Sequence, residues 1–540
     1  MKAAEAAVKA AEAAVNALAL AALIGLAAAC NADRGPRFAP AGNPAPRDGG
    51  TLRYASSFPV RTLDPTIEYD EASHTIVHAL FDTLLDYAPD GVTLIPRLAE
   101  AWSRSADGLV YTFRLREGLV FSDGSPISAA DIEYSLHRAT ATPDSPFGPF
   151  LADVDSVRAN GRELVITLKT ASPAFAYVLT MPFTTPQLRS HVEQSGDQLR
   201  RRPLGAGPYM LERWDEGRQL VLRRNPRYWD PRRAHLDRIV LFENVPRDTQ
   251  LMMFERGELD TAEKLSPPDL IWVESQPAWQ PYVYRRTLMN AFGSRMNVRK
   301  KPFDDRRVRQ ALNYALDKSH SVKLLGGAAV PAHGVLVPGV AGYDDALAPY
   351  PHDPAKARAL LADAGYPDGF TVDYAIMADD EAERVALSLQ ADLAEVGVRV
   401  RIQRMSLATF ASAIGSPDGP AFSKIGWLAD YPDPTSFLDP SFHSRSITEA
   451  NSTNNSFYAN PALDALLDRA RGEPDPAARA GLYREAERLL YADAPWIWDY
   501  HQQMVEVIQP YVAGYAPHPI WLRDYTSAWL DVGPNGPVPR

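Results

Sequence analysis

Leu98-Ala-Glu-Ala-Trp102, Gly108-Leu-Val-Tyr-Thr-Phe-Arg-Leu-Arg-Glu-Gly118 and Phe121-Ser-Asp-Gly-Ser-Pro-Ile-Ser-Ala-Ala-Asp131 form the stretch that decides how this 540-residue chain is read. From Val110 to Arg116 apolar and polar residues alternate, the period of a strand with one buried face. A second alternating run, residues 162–168, follows the turn signal Asn160-Gly161. Between the two, Ser128 opens a helix that carries Ile132 and Leu136. Ser128 is a good N-cap, and Asp131 three residues later makes a variant of the capping box.

Outward from this core the pattern stays mixed. Upstream, residues 51–55 alternate as a strand, Asp64-Pro65 breaks the run, and a helix over residues 73–84 places Ile76, Leu80 and Leu84 on one stripe. Downstream, residues 209–214 and 219–223 pair as strands around Gly217. Residues 305–316 read as an amphipathic helix with Val308, Leu312 and Ala315 inward. Further helices are expected over 355–361 and 383–393, and strands over 370–374 and 398–403. The pattern predicts an α/β chain of several domains, and its length suggests about three. No repeat of 20 to 50 residues is evident.

Lys plus Arg is 56 and Asp plus Glu is 67, a net charge of -11. Such a balance argues against a surface built to coat nucleic acid, so no nucleic-acid partner is expected. Cys30 is the single cysteine, which excludes an intrachain disulfide and a multi-cysteine metal site. His74 and His78 have zinc-ligand spacing, but the metalloprotease base and a third ligand are missing, so no metal is expected. Gly205-Ala-Gly207 lacks the lysine of a phosphate loop and is read as a tight turn entering a strand. There is no Gly-x-Ser-x-Gly elbow. Asp304-Asp305 precedes a helix, where the carboxylates favour its positive end. No catalytic set emerges, and neither an enzyme activity nor a cofactor is expected. Distant carboxylate pairs leave glycoside chemistry open.

Residues 13–29 are uncharged, rich in Ala and Leu, and end in Ala27-Ala28-Ala29 before Cys30. This architecture resembles a bacterial lipoprotein signal, in which the cysteine becomes the lipidated first residue. Residues 1–29 are then a signal peptide, and residues 30–50, rich in Pro, Gly and Ala, a flexible tether held to the membrane through Cys30. An ordinary cleaved signal with a chance cysteine is the alternative.

The opening stretch also belongs to an ordered set of blocks. It is followed by Gly205-Ala-Gly-Pro-Tyr209, Arg224-Asn-Pro-Arg-Tyr-Trp-Asp230 and Pro302-Phe-Asp-Asp-Arg-Arg-Val-Arg-Gln-Ala-Leu312. Then come Gly426-Trp-Leu-Ala-Asp-Tyr-Pro-Asp-Pro-Thr-Ser-Phe-Leu438, Asn460-Pro and Asp464. From about residue 50 onward the chain resembles the extracellular solute-binding proteins of peptide and nickel uptake, family 5, served by ATP-binding-cassette (ABC) transporters. Its motifs are most similar to those of the oligopeptide and dipeptide binders.

That resemblance implies a bilobed periplasmic-binding-protein fold, a clamshell with an additional inserted domain. Residues 51–83, 205–304 and 500–540 would form one discontinuous lobe, 84–204 the inserted domain and 305–499 the other lobe. The partners implied are a small peptide in the interlobe cleft and a transmembrane permease, with the binding protein a monomer at the periplasmic or cell-surface side. Family relatives also carry nickel complexes, opines or oligosaccharides, and these remain alternatives, with a secreted hydrolase the more remote one.

Site residues follow from the matched block. In peptide-binding members the aspartate of Gly-Trp-x-x-Asp holds the ligand's free amine, a role that maps onto Asp430. Main chain at Trp427, Leu428 and Ala429 would pair with an extended peptide, and Trp427 would wall the pocket or fill the lobe core. Lys424 stands where the closest oligopeptide binders carry an arginine for the peptide carboxylate. It keeps the charge but loses the bidentate fork. A regular strand would put Lys424 and Asp430 on one face about 20 Å apart. Tyr69 follows the Leu63-Asp-Pro65 landmark, where members contribute main chain to the ligand.

Overall fold

A computed structural model describes residues 36, 40–43 and 45–532. The expected signal peptide and Cys30 lie outside the described residues. Two α/β lobes and an inserted β-sheet domain make up the described chain, the clamshell architecture expected from the resemblance.

The first lobe holds a four-stranded sheet. Thr51–Ala55 runs parallel to Arg238–Phe242, and Gln219–Arg224 and Tyr209–Asp215 follow antiparallel. Gly217 takes a left-handed φ of 71° in the hairpin turn. Helix Glu71–Leu80 packs on this sheet, capped by Asp70, whose side chain accepts the Ser73 N–H at 3.0 Å. It begins and ends earlier than the expected 73–84. Ile76 and Leu80 enter the first lobe's core, whereas Leu84, beyond the helix, is buried in the core of the inserted domain. The Gly205-Ala-Gly207 segment crosses the helix end at backbone contact. The Gly207 N–H donates to the Leu80 carbonyl at 2.9 Å, and a Cβ at Gly205 would stand 2.0 Å from that oxygen. Close approach therefore explains the glycine at 205.

The inserted domain is an antiparallel sheet in the order Ala99–Arg104, Val110–Leu115, Glu163–Leu168, Val154–Asn160. Helix Ala129–Ala141 covers it, with the Ser128–Asp131 capping box formed and Ile132 and Leu136 buried as the periodicity predicts.

The second lobe surrounds an eight-stranded mixed sheet. Its 13-residue strand Trp496–Ile508 is shared between lobes. Trp496 and Trp498 lie in the second lobe's core, while Ile508 lies in the first lobe's. Asn290–Met296 runs antiparallel beside it, with a register shift at Phe292/Gly293. The strand Trp496–Ile508 thus runs from the core of one lobe into the core of the other. Helix Arg306–Ala315 starts at Asp305, whose carboxylate caps it by accepting the Arg307 N–H at 2.8 Å. Val308, Leu312 and Ala315 are fully buried.

Candidate functional site

The strand Phe422–Leu428 lies between Asn290–Met296 and Thr371–Met377. Against Asn290–Met296 it is paired along its whole length, but against Thr371–Met377 only at Phe422 and Ser423. From Lys424 onward its second edge has no ladder partner among the described residues. Gly426 and Leu428 face outward, Leu428 with 61% exposure. Ile425 is buried in the second lobe's core, and Trp427 packs against that core and lines the adjacent cavity. Its indole N–H donates to the Ser436 carbonyl at 2.6 Å. The Ala429 N–H is already engaged with the Met289 carbonyl at 2.7 Å.

Asp430 stands two residues past the strand end, so the alternation that would align it with Lys424 stops before reaching it. Its position is set by helix Pro434–Phe442, from which the Ser436 hydroxyl oxygen accepts the Asp430 N–H at 3.0 Å. That helix is capped by Asp433, which accepts the Thr435 N–H at 3.0 Å. Arg479 grips Asp433 with two bonds, of 2.6 and 2.8 Å, in a buried pair. The carboxylate is thus carried on a rigid support.

Asp430 Oδ1 accepts a short hydrogen bond from the Tyr69 hydroxyl, so a residue of the first lobe meets one of the second. Burial pushes the Asp430 carboxyl above its ordinary range, and the bond from Tyr69 pulls the other way. The Tyr69 ring meets the edge of Phe147 at 5.7 Å. The next residue, Tyr431, stacks on Tyr177 at 6.3 Å with an interplanar angle of 7°, and meets Phe150 edge-on. Segment 427–431 therefore touches all three parts of the molecule. A cavity of about 540 Å³ opens beside it, bounded by Tyr69, Phe150, Phe175, Trp427, Asp430 and Tyr431. That volume suits a small solute.

Lys424 is placed apart from Asp430. Its ammonium lies beside the stacked rings of Phe292 and Tyr500, at 5.9 and 5.6 Å from their centroids, and 3.4 Å from the Tyr500 hydroxyl. Desolvation lowers its pKa, against the pull of Asp499.

The two histidines with zinc spacing have other employment. His74 and His78 both stack on Trp521, at 5.1 and 4.8 Å. His74 also pairs with Glu68 at 3.3 Å and His78 with Asp524 at 3.6 Å. Among the described residues, no group of three His, Cys, Asp or Glu side chains could hold a metal ion.

Residues 93–449 match the family described as bacterial extracellular solute-binding proteins, family 5. The chain belongs to that family. It is 30% identical to di/tripeptide-binding protein 2 of Pseudomonas aeruginosa over 485 residues, 84% of this chain and 90% of the relative. It is 32% identical to the glutathione-binding protein of Pectobacterium atrosepticum, across 87% of this chain and 92% of that one. Among solved structures, the periplasmic binding protein DppA of Helicobacter pylori, in complex with the peptide STSA, superimposes with a TM-score of 0.76. The two are 25% identical, and the match spans 90% of this chain and 99% of DppA. This family member is a non-enzymatic solute-binding component of an importer and works on the extracytoplasmic side.

Tyr431, Tyr177, Phe150 and Ser436 complete the site and were not singled out by sequence reasoning. Tyr431 and Ser436 lie inside the matched block, next to Asp430 and on the helix that follows. Tyr177 and Phe150 come from another domain, and nothing in their local sequence distinguishes them from core aromatics.

Proposed function

We propose that this protein captures small peptides with a free amino terminus between its lobes and delivers them to the permease of an ABC importer. The observation that carries the reading is the placement of Asp430, a half-buried carboxylate at the meeting point of the lobes, beside a cavity with aromatic walls. A desolvated ammonium needs an ionised partner, and a fixed carboxylate supplies charge-assisted hydrogen bonds. The unpaired strand edge from Lys424 to Leu428 offers main-chain groups for sequence-tolerant pairing with an extended ligand. Lys424 supplies the opposite charge deeper in the same lobe. A carboxylate and an ammonium together favour a zwitterion over a nickel complex or an oligosaccharide. The names of the two relatives, a di/tripeptide binder and a glutathione binder, point the same way.

The finer assignments belong to the same proposal. Tyr69 lies at the ligand's amino end, residues 51–83, 205–304 and 500–540 move against 305–499, and 84–204 form the inserted domain. Lipid on Cys30 tethers a monomer to the membrane through residues 30–50.

Calorimetry with a peptide and its N-acetyl form, on wild type and Asp430→Asn, tests the anchor. The free peptide should lose about 2–5 kcal/mol on the substitution and the acetylated one far less. Equal losses for the two peptides would remove Asp430 as the amine partner.

A further inference from the structure

Tyr69 reaches Asp430 from the opposite lobe, 361 positions away in sequence, and its hydroxyl donates to the very carboxylate proposed to receive the ligand's ammonium. The contact is braced: the Tyr69 ring stands edge-on to Phe147, and Phe147 stacks on buried Phe183 at 4.5 Å. Tyr69 nonetheless remains 59% exposed, so its side chain has room to swing away without opening a core. A phenol is a neutral donor, and an ammonium is a charged one that bonds a carboxylate more strongly. Both satisfy a carboxylate that would otherwise be left desolvated and unpaired when the lobes close.

The geometry points to Tyr69 as a specificity-determining latch: its hydroxyl competes with the ligand's ammonium for Asp430, and it stays in place when the ligand's amine is blocked. The latch has two opposite consequences. A free-amine peptide must displace the phenol, which weakens its binding. An amine-blocked peptide leaves Asp430 paired with Tyr69, which spares it the cost of a lone buried carboxylate. Tyr69 thereby narrows the difference between the two kinds of ligand. It also ties the lobes together directly, so its removal loosens the closed form.

This inference rests on the amine-anchor reading of Asp430, and the experiment separates the two. The probes are Ser-Thr-Ser-Ala and its N-acetyl form, titrated calorimetrically into protein stripped by unfolding and refolding. On Tyr69→Phe, which keeps the ring and its contact with Phe147, the free peptide should bind about tenfold tighter and the acetylated peptide about tenfold weaker. A loss for both peptides would make Tyr69 an ordinary ligand contact and overturn the proposal, as would no change for either. Small-angle scattering without peptide gives a readout independent of these probes. Tyr69→Phe should have a larger radius of gyration than wild type, and an unchanged radius overturns the latch. Asp430→Asn reports on the underlying reading alone: if wild type and Asp430→Asn discriminate equally between the two peptides, the anchor fails, whatever Tyr69 does.

Discussion

At the scale of single residues, burial decides what the charged groups can do. Glu506 is fully buried in the shared strand Trp496–Ile508, and burial pushes its carboxyl up to about 7 although the Tyr515 hydroxyl donates to it. In the unfolded chain a glutamate titrates near 4.3. Between these values the folded chain holds a proton that the unfolded chain has lost, so stability falls as the pH rises through that window. Asp260, Asp439 and Asp499, each raised by burial to about 6, act in the same sense. Glu506→Gln keeps the shape and an acceptor for Tyr515. Its stability relative to wild type should rise by about 1–3 kcal/mol between pH 5 and pH 8, as read by chemical denaturation at the two values. Single residues were also where the sequence was least legible. Asp430 could be singled out because it sits in a distinctive block. The bond it receives from Tyr69 joins residues far apart in the chain, and no local pattern encodes it. Lys424 shows the opposite limit: alternation placed it relative to Asp430 only as long as the strand continued, and the strand stops at Leu428.

At the scale of elements, caps and close approaches set the boundaries that periodicity alone misjudged. The capping box at Ser128 and the cap at Asp305 were legible because a cap is a local pattern of side chain and backbone. The helix expected over 73–84 was misjudged at both ends. Asp70 starts it early, and an apolar residue at the right spacing, Leu84, serves the core of a different domain. The strand Asn290–Met296 depends on a similar non-local fact. A Cβ at Gly293 would stand 2.1 Å from the Ile497 carbonyl oxygen in the neighbouring strand. Gly293→Ala should therefore force the two strands apart and cost about 1–3 kcal/mol in a denaturant titration. Gly481→Ala is the control. It lies within helix Pro476–Asp493 with open space around its Cβ position, so it should be neutral or stabilising by up to about 1 kcal/mol.

At the scale of the whole molecule, the α/β class was legible from alternating periods, whereas the clamshell arrangement came only from the ordered blocks. Strand and helix periods are properties of short segments, but which segments share a sheet is not. The strand Trp496–Ile508 illustrates this: it pairs with Asn290–Met296, Ala329–Pro331, Val283–Thr287 and Thr261–Glu263, all distant in sequence. Two lobes joined by shared strands, with a carboxylate and aromatic rings at their meeting point, suit reversible enclosure of a small solute. The direct test is to strip the protein by unfolding and refolding, equilibrate it with a mixed peptide pool, and identify what it retains by mass spectrometry. Intact short peptides with free amino termini should be recovered, depleted of N-acetylated counterparts. Recovery of cleaved products, or of no peptide from protein that refolds fully, would contradict capture of peptides between the lobes.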